Sequence, residues 1–179
     1  SVVGESGEPP LGRSIMETYG AIASALASGL ESLGVPVELA AVASGPRERE
    51  EGASPPCFVS SGRFEVVVDG RKLIGSAQRR VGRGVLQHGS LLIDDRHEAL
   101  ADLLNLADEE RRALVRRTLG RKTTTLGRAL GRQVCFAEVA AAVRRGFEEA
   151  WGVTFTEDGL SDAESREVER LATGYAVVS

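Results

Sequence analysis

The apolar positions of this chain follow two different periods. From Ser14 to Gly34, Ile15, Tyr19, Ile22, Leu26, Leu30 and Leu33 recur every three or four residues. They stand behind Ser14-Ile15-Met16-Glu17, whose serine and glutamate have capping-box spacing. The spacing predicts a long amphipathic helix that stops before Gly34. An extended run over residues 35–41 follows. Residues 44–56, "SGPREREEGASPP", then combine charge, glycine and proline, which predicts a mobile loop. Unstructured stretches of this length are uncommon inside compact domains and often carry function. Cys57 stands at the exit of this one.

From Phe64 the period drops to two. Phe64, Val66 and Val68 share one side, and Asp69-Gly70 is a strong hairpin signal because both positions of a two-residue turn favour positive φ. Such a turn sets Val68 opposite Arg71, Val67 opposite Lys72 and Val66 opposite Leu73. Leu73, Gly75 and Ala77 then fall on the apolar face, and Lys72, Ser76 and Gln78 on the other face beside Glu65 and Val67. A second turn at 81–84 leads to a third strand, so strands 64–68, 72–79 and 85–93 read as a three-stranded meander. Helices are expected over 95–106, opened by Asp95-x-x-Glu98, over 109–119 capped by Asp108, and near 125–130. Two more begin behind Cys135 and behind the Ser161–Glu164 capping box. The pattern is that of an α+β protein with antiparallel strands packed against helices, without internal repeats.

Composition narrows the function. The 179 residues are 42% hydrophobic, enough for one core, so 1–179 is expected to form a single domain. With 4% aromatics and a net charge of −4, neither a stacking platform nor a cationic surface for nucleic acid is expected. No apolar run approaches the roughly 20 residues of a bilayer span, so no membrane partner is expected. Cys57 and Cys135 form no CxxC pair and have no zinc spacing, which suits reduced thiols in the cytoplasm and no metal.

Several residues could carry chemistry. Cys57 is either a small buried hydrophobe or a nucleophile whose thiolate a nearby ammonium favours. Lys72 is either a solvated hairpin lysine or a cation for a carboxylate, phosphate or oxyanion, held beside small residues that let a ligand approach. His88 reads as a hydrogen-bonded strand histidine or a site residue, and Cys135 as a substitute for a helix cap. Arg111, Arg112, Arg116, Arg117, Arg121, Lys122, Arg128 and Arg132 follow one another with no intervening acid, whereas the C-terminal part is acidic. That cationic stretch is a solvated face or a docking site for an acidic partner.

The stretch "GRKLIGSAQRRVGRGVLQHGSLLID", residues 70–94, holds Gly-x-Lys-x-x-Gly-Ser-Ala-Gln followed by Gln-His-Gly-Ser. It resembles the central motif of the lipoate-protein ligase and octanoyltransferase superfamily, whose catalytic fold is shared with biotin protein ligases. The helix from Ser14, "CF" ahead of a Phe-Glu strand, and "GFEEAWGV" near the end are similar to that family too. The resemblance implies that Lys72 contacts the acyl carbonyl or an acyl-adenylate. It also implies that Gly75, Ser76, Ala77, Gln78, His88, Gly89 and Ser90 line the substrate. In the branch that uses a cysteine upstream of the lysine motif, the position of Cys57 carries the acyl group as a thioester; Cys135 does not match the branch with a downstream cysteine. The family's Arg-x-x-Gly-Gly type loop would precede Ser1, so the chain is expected to correspond to the C-terminal two thirds of the family domain.

The resemblance therefore implies octanoyl (or lipoyl) transfer from acyl-carrier protein to a lysine of a lipoyl domain, such as the glycine-cleavage H protein, in lipoate biosynthesis, without cofactor. Two alternatives stay open. One is an ATP-dependent lipoate-protein ligase requiring ATP and Mg²⁺, and the other is a non-catalytic acyl- or carrier-protein-binding module.

Overall fold

The computed structural model describes residues 1–40 and 64–175. Its elements are β1 (Val2–Glu5), α1 (Ile15–Glu31), β2 (Glu38–Ala40), β3 (Glu65–Val68), β4 (Arg71–Lys72), β5 (Ile74–Val81) and β6 (Gly84–Leu91). A 3₁₀ turn (Asp95–Ala99), α2 (Leu100–Leu103), α3 (Glu109–Lys122), α4 (Leu126–Leu130), α5 (Phe136–Trp151) and α6 (Asp162–Tyr175) follow.

The expected capping box closes the start of α1: Glu17 N donates to Ser14 Oγ, and Ser14 N donates to Glu17 Oε2. The helix buries Ile22 and Leu30 as its period requires, but also Thr18, Ala23, Ala25, Ala27 and Gly29. Ile15 is exposed. The extra small residues serve a close crossing with α5. A Cβ on Gly29 would lie 2.5 Å from the carbonyl oxygen of Ala142, and one on Gly146 would overlap the Ala25 carbonyl and the Gly29 backbone. Only glycine fits both points.

The strands form two antiparallel sheets, ordered β1-β6-β5 and β2-β3-β4. The hairpin pairs Val68 with Arg71 and Val67 with Lys72, as its turn predicts. The three-stranded meander is corrected: the strand expected over 72–79 breaks at Leu73 and continues in the other sheet. Leu73 N donates to Val66 O at 2.9 Å in one sheet, and Leu92 N donates to Leu73 O at 3.1 Å toward the other. This crossing also reverses the expected faces of β5. Ser76, Gln78 and Arg80 are half-buried and Ala77 is exposed, because α1 covers the polar side of the strand.

The main core gathers Ala23, Leu30, Val66, Val68, Leu73, Ile74, Leu126 and Val139 between α1 and the strands. A second cluster, with Leu11, Ile22, Ala25, Val85 and Phe147, touches the first through Leu26 and Val143. The helix expected over 95–106 is a 3₁₀ turn and one turn of α-helix, capped by Asp94 rather than Asp95. Arg128 explains the difference. It binds Asp95 at 2.9 Å and Glu98 at 2.8 Å, so both acids of the expected cap are engaged elsewhere. Caps at Asp108 and Thr125 are present, and Cys135 takes the N-cap position of α5 without a side-chain hydrogen bond.

Candidate active site

Asp69 and Gly70 have φ of 49° and 68°, the left-handed conformation that a two-residue turn demands and that a following glycine makes inexpensive. The turn fixes Lys72 opposite Val67. Glu65 lies two residues before Val67, on the same face, and is therefore the diagonal neighbour of Lys72. Lys72 Nζ donates to Glu65 Oε1 at 2.7 Å, with the two side chains only 8% and 10% exposed. An ion pair removed from water this far survives only with close geometry. Deleting one partner costs about 3–5 kcal/mol because the other charge is left uncompensated.

The backbone around the pair is tied down as well. Lys72 bridges Thr123, and Thr124 N donates to Lys72 O at 3.0 Å. Thr123, Thr124 and Thr125 are all buried. The hydroxyl of Thr123 donates to Leu119 O at 2.7 Å and lies 2.8 Å from His97 Nε2.

A polar seam continues from this pair along β5, facing α1. Tyr19 Oη donates to the carbonyl of Ser76 at 2.9 Å and accepts from Ser76 Oγ at 2.6 Å. Burial pushes the Tyr19 phenol above its ordinary range. The hydrogen bond from Ser76 opposes that rise and the charge of Glu65 adds to it. Gln78 Nε2 donates to Gln87 Oε1 at 2.9 Å. Arg80 directs its whole guanidinium at neutral oxygens: Gln78 Oε1, Ser6 Oγ, the carbonyls of Arg13 and Ser14, and Thr18 Oγ1, all within 3.0 Å.

The residues singled out in the sequence thus divide. Lys72, Ser76 and Gln78 belong to the interior seam. Gly75 is buried, while Ala77, His88, Gly89 and Ser90 are exposed. His88 pairs with Ala77 across the sheet, and its Nδ1 lies 2.8 Å from Ser1 Oγ. Gly89 permits close packing, since a Cβ there would come within 2.9 Å of Gly75 O and Ser76 Cβ. Cys57 lies outside the described residues. Two shallow clefts bordered by described residues, of about 390 and 600 Å³, meet at Ile93 and Asp94 and do not include Lys72.

Tyr19, Arg80 and the role of Glu65 were not anticipated. Glu65 had a signal in plain sight, an acid inside the apolar run Phe64–Val68 and on the lysine's face. Tyr19 and Arg80 had none beyond a helix position and a strand position.

Residues 6–148 match the family model of the lipoyl protein ligase A/B catalytic domain. The chain belongs to this family. It is 37% identical over 158 residues to an octanoyltransferase LipM of Symbiobacterium thermophilum, covering 88% of this chain and 58% of that one. It is 34% identical over 176 residues to an octanoyltransferase LipM of Moorella thermoacetica, covering 98% and 64%. The chain thus spans less than two thirds of the length of these curated relatives. A bi-partite lipoate protein ligase of Thermoplasma acidophilum, studied with its E2 lipoyl domain, superposes with a TM-score of 0.71. Its identity is 20%, over 92% of this chain and 57% of that one. That likeness is one of fold, and it bears out the α+β class with antiparallel sheets packed against helices in the manner of ligase catalytic domains. No helix among the described residues is long and apolar enough to cross a membrane.

Proposed function

We propose that this chain carries the catalytic residues of an octanoyltransferase that moves an octanoyl group from acyl-carrier protein to a lysine of a lipoyl domain such as the glycine-cleavage H protein. The observation that carries this reading is the 37% and 34% identity to octanoyltransferases over most of the chain. The Cys57 thiolate attacks the carrier thioester, a new carbon–sulfur bond forms, the old one breaks, and the carrier leaves as its thiolate. The acceptor amine then attacks the Cys57 thioester, loses its proton, and releases the thiolate as the amide forms. Lys72 supplies positive charge to the thiolate or to the tetrahedral oxyanion. Thioester exchange is nearly energy-neutral and amide formation runs downhill, so the cycle consumes no ATP and needs no metal. It requires a reduced thiol, which suits the cytoplasm.

Partner docking has support on α3. Arg111, Arg117, Arg121 and Lys122 are exposed and make no ion pair among the described residues. Arg112 and Arg116, by contrast, are held by Glu109 and Asp102. A carrier protein presenting carboxylates complements the open set. An ATP-dependent ligase shares the fold, and it predicts an absolute requirement for ATP and Mg²⁺. A binding module predicts carrier binding with no covalent intermediate.

The test is intact mass of the full-length protein after incubation with octanoyl carrier protein, with and without ATP. A product heavier by one octanoyl group without ATP, absent from Cys57→Ser, is expected. Full transfer by Cys57→Ser would sink the thioester mechanism.

A further inference from the structure

Lys72, the cation of the proposed mechanism, is paired with Glu65, and the two lie on adjoining strands of one hairpin. Glu65 is buried at 9% exposure and Lys72 at 7%. Their contact at 2.7 Å is a charge-assisted hydrogen bond. A lysine side chain has four rotatable carbons and a point charge, so an ammonium acting on a reacting carbonyl must be held in place by something other than its own stem. Glu65 is well suited to hold it. Its backbone pairs with Ala40 in β2, and Phe64, just before it, has φ of 59° and donates its N–H to Ala40 O at 2.8 Å. Positive φ in a bulky residue persists only where surrounding structure fixes it, so the entry of β3 is set firmly.

Among the described residues, titratable groups reached from the pair include Tyr19 on α1, which feels the charge of Glu65, and His97, which contacts Thr123, the bridge partner of Lys72. Arg121 and Lys122, at the end of α3, are exposed. Glu65 is an acid that touches the ammonium.

We infer that Glu65 is a positioning residue for acyl transfer: its carboxylate fixes the Lys72 ammonium at the point where the acyl carbonyl reacts, without itself touching substrate. The inference rests on the acyl-transfer reading above.

The experiment measures octanoyl transfer by full-length Glu65→Gln, with enzyme acylation followed by intact mass and folding by thermal melt. Glutamine keeps the length and an accepting oxygen but not the charge. A loss of placement acts on the transition state, so kcat should fall about 100-fold while KM for octanoyl carrier protein changes less than about twofold. Glu65→Asp retains the charge one methylene further back and should give an intermediate kcat with the same KM. It also serves as the readout if Glu65→Gln does not fold. Wild-type kcat in a folded Glu65 variant, or a loss that follows only the folded fraction, overturns the inference alone. A wild-type protein that forms no acyl-enzyme overturns the acyl-transfer reading and this inference with it.

Discussion

Two of the faces through which helix α1 packs have opposite chemistry. Against α5 it offers Ala25 and Gly29, and the partner replies with Ala142 and Gly146, so that backbone lies on backbone. Against β5 it offers Thr18 and Tyr19, and the strand replies with Ser76, Gln78 and Arg80, each hydrogen-bonded. The first face is specified by the absence of side chains and has no tolerance for volume. The second is specified by partners and has no tolerance for a missing one. Placing the polar face toward the strand beyond Lys72 lets charge and hydroxyls enter the interior without unsatisfied atoms. None of the described buried side-chain polar atoms lacks a hydrogen bond.

Substitutions can separate the two faces. Gly146→Ala should cost most. Alanine is the better helix former by about 1 kcal/mol, but its methyl would overlap the Ala25 carbonyl and the Gly29 backbone. Forcing the helices apart should leave a net loss of about 3 kcal/mol, measured by urea unfolding. Arg80→Met should follow, at about 2 kcal/mol, because it strips donors from oxygens that cannot all find water. Arg80→Lys should recover only part, since an ammonium cannot reproduce five donors in a planar fork.

Tyr19→Phe should cost least, about 1 kcal/mol at neutral pH, and its cost should depend on pH. The folded state holds the phenol protonated above its ordinary range. Its stabilisation is therefore fully present below about pH 10 and is lost as pH rises through the higher folded value. The gap between wild type and Tyr19→Phe in denaturant titrations should narrow on the alkaline side. A gap constant with pH would show that burial does not hold the Tyr19 phenol above its ordinary range in the folded state.

Much of this is legible in the sequence. The Ser14–Glu17 box, the Asp69-Gly70 register and the placement of Lys72 beside Glu65 all follow from spacing, because each depends on neighbours close in sequence. The change of sheet at Leu73 was not legible. A one-residue bend leaves the alternation of residue types intact, and only the partner strands, distant in sequence, decide which face is covered. The same holds at 95–106, where Arg128 captures both acids of an apparent cap from 30 or more residues away. In the candidate site, the lysine motif was readable, whereas Tyr19 and Arg80 acquire their roles only through the docking of α1 on β5.

Leu73 bonds to both sheets through its own N–H and C=O, and Lys72 precedes it by a single residue. Any rocking of one layer on the other therefore pivots beside the Lys72 backbone, and a point near a fulcrum travels least. The two layers can shift at their rims while the segment that carries the buried Lys72–Glu65 pair barely moves.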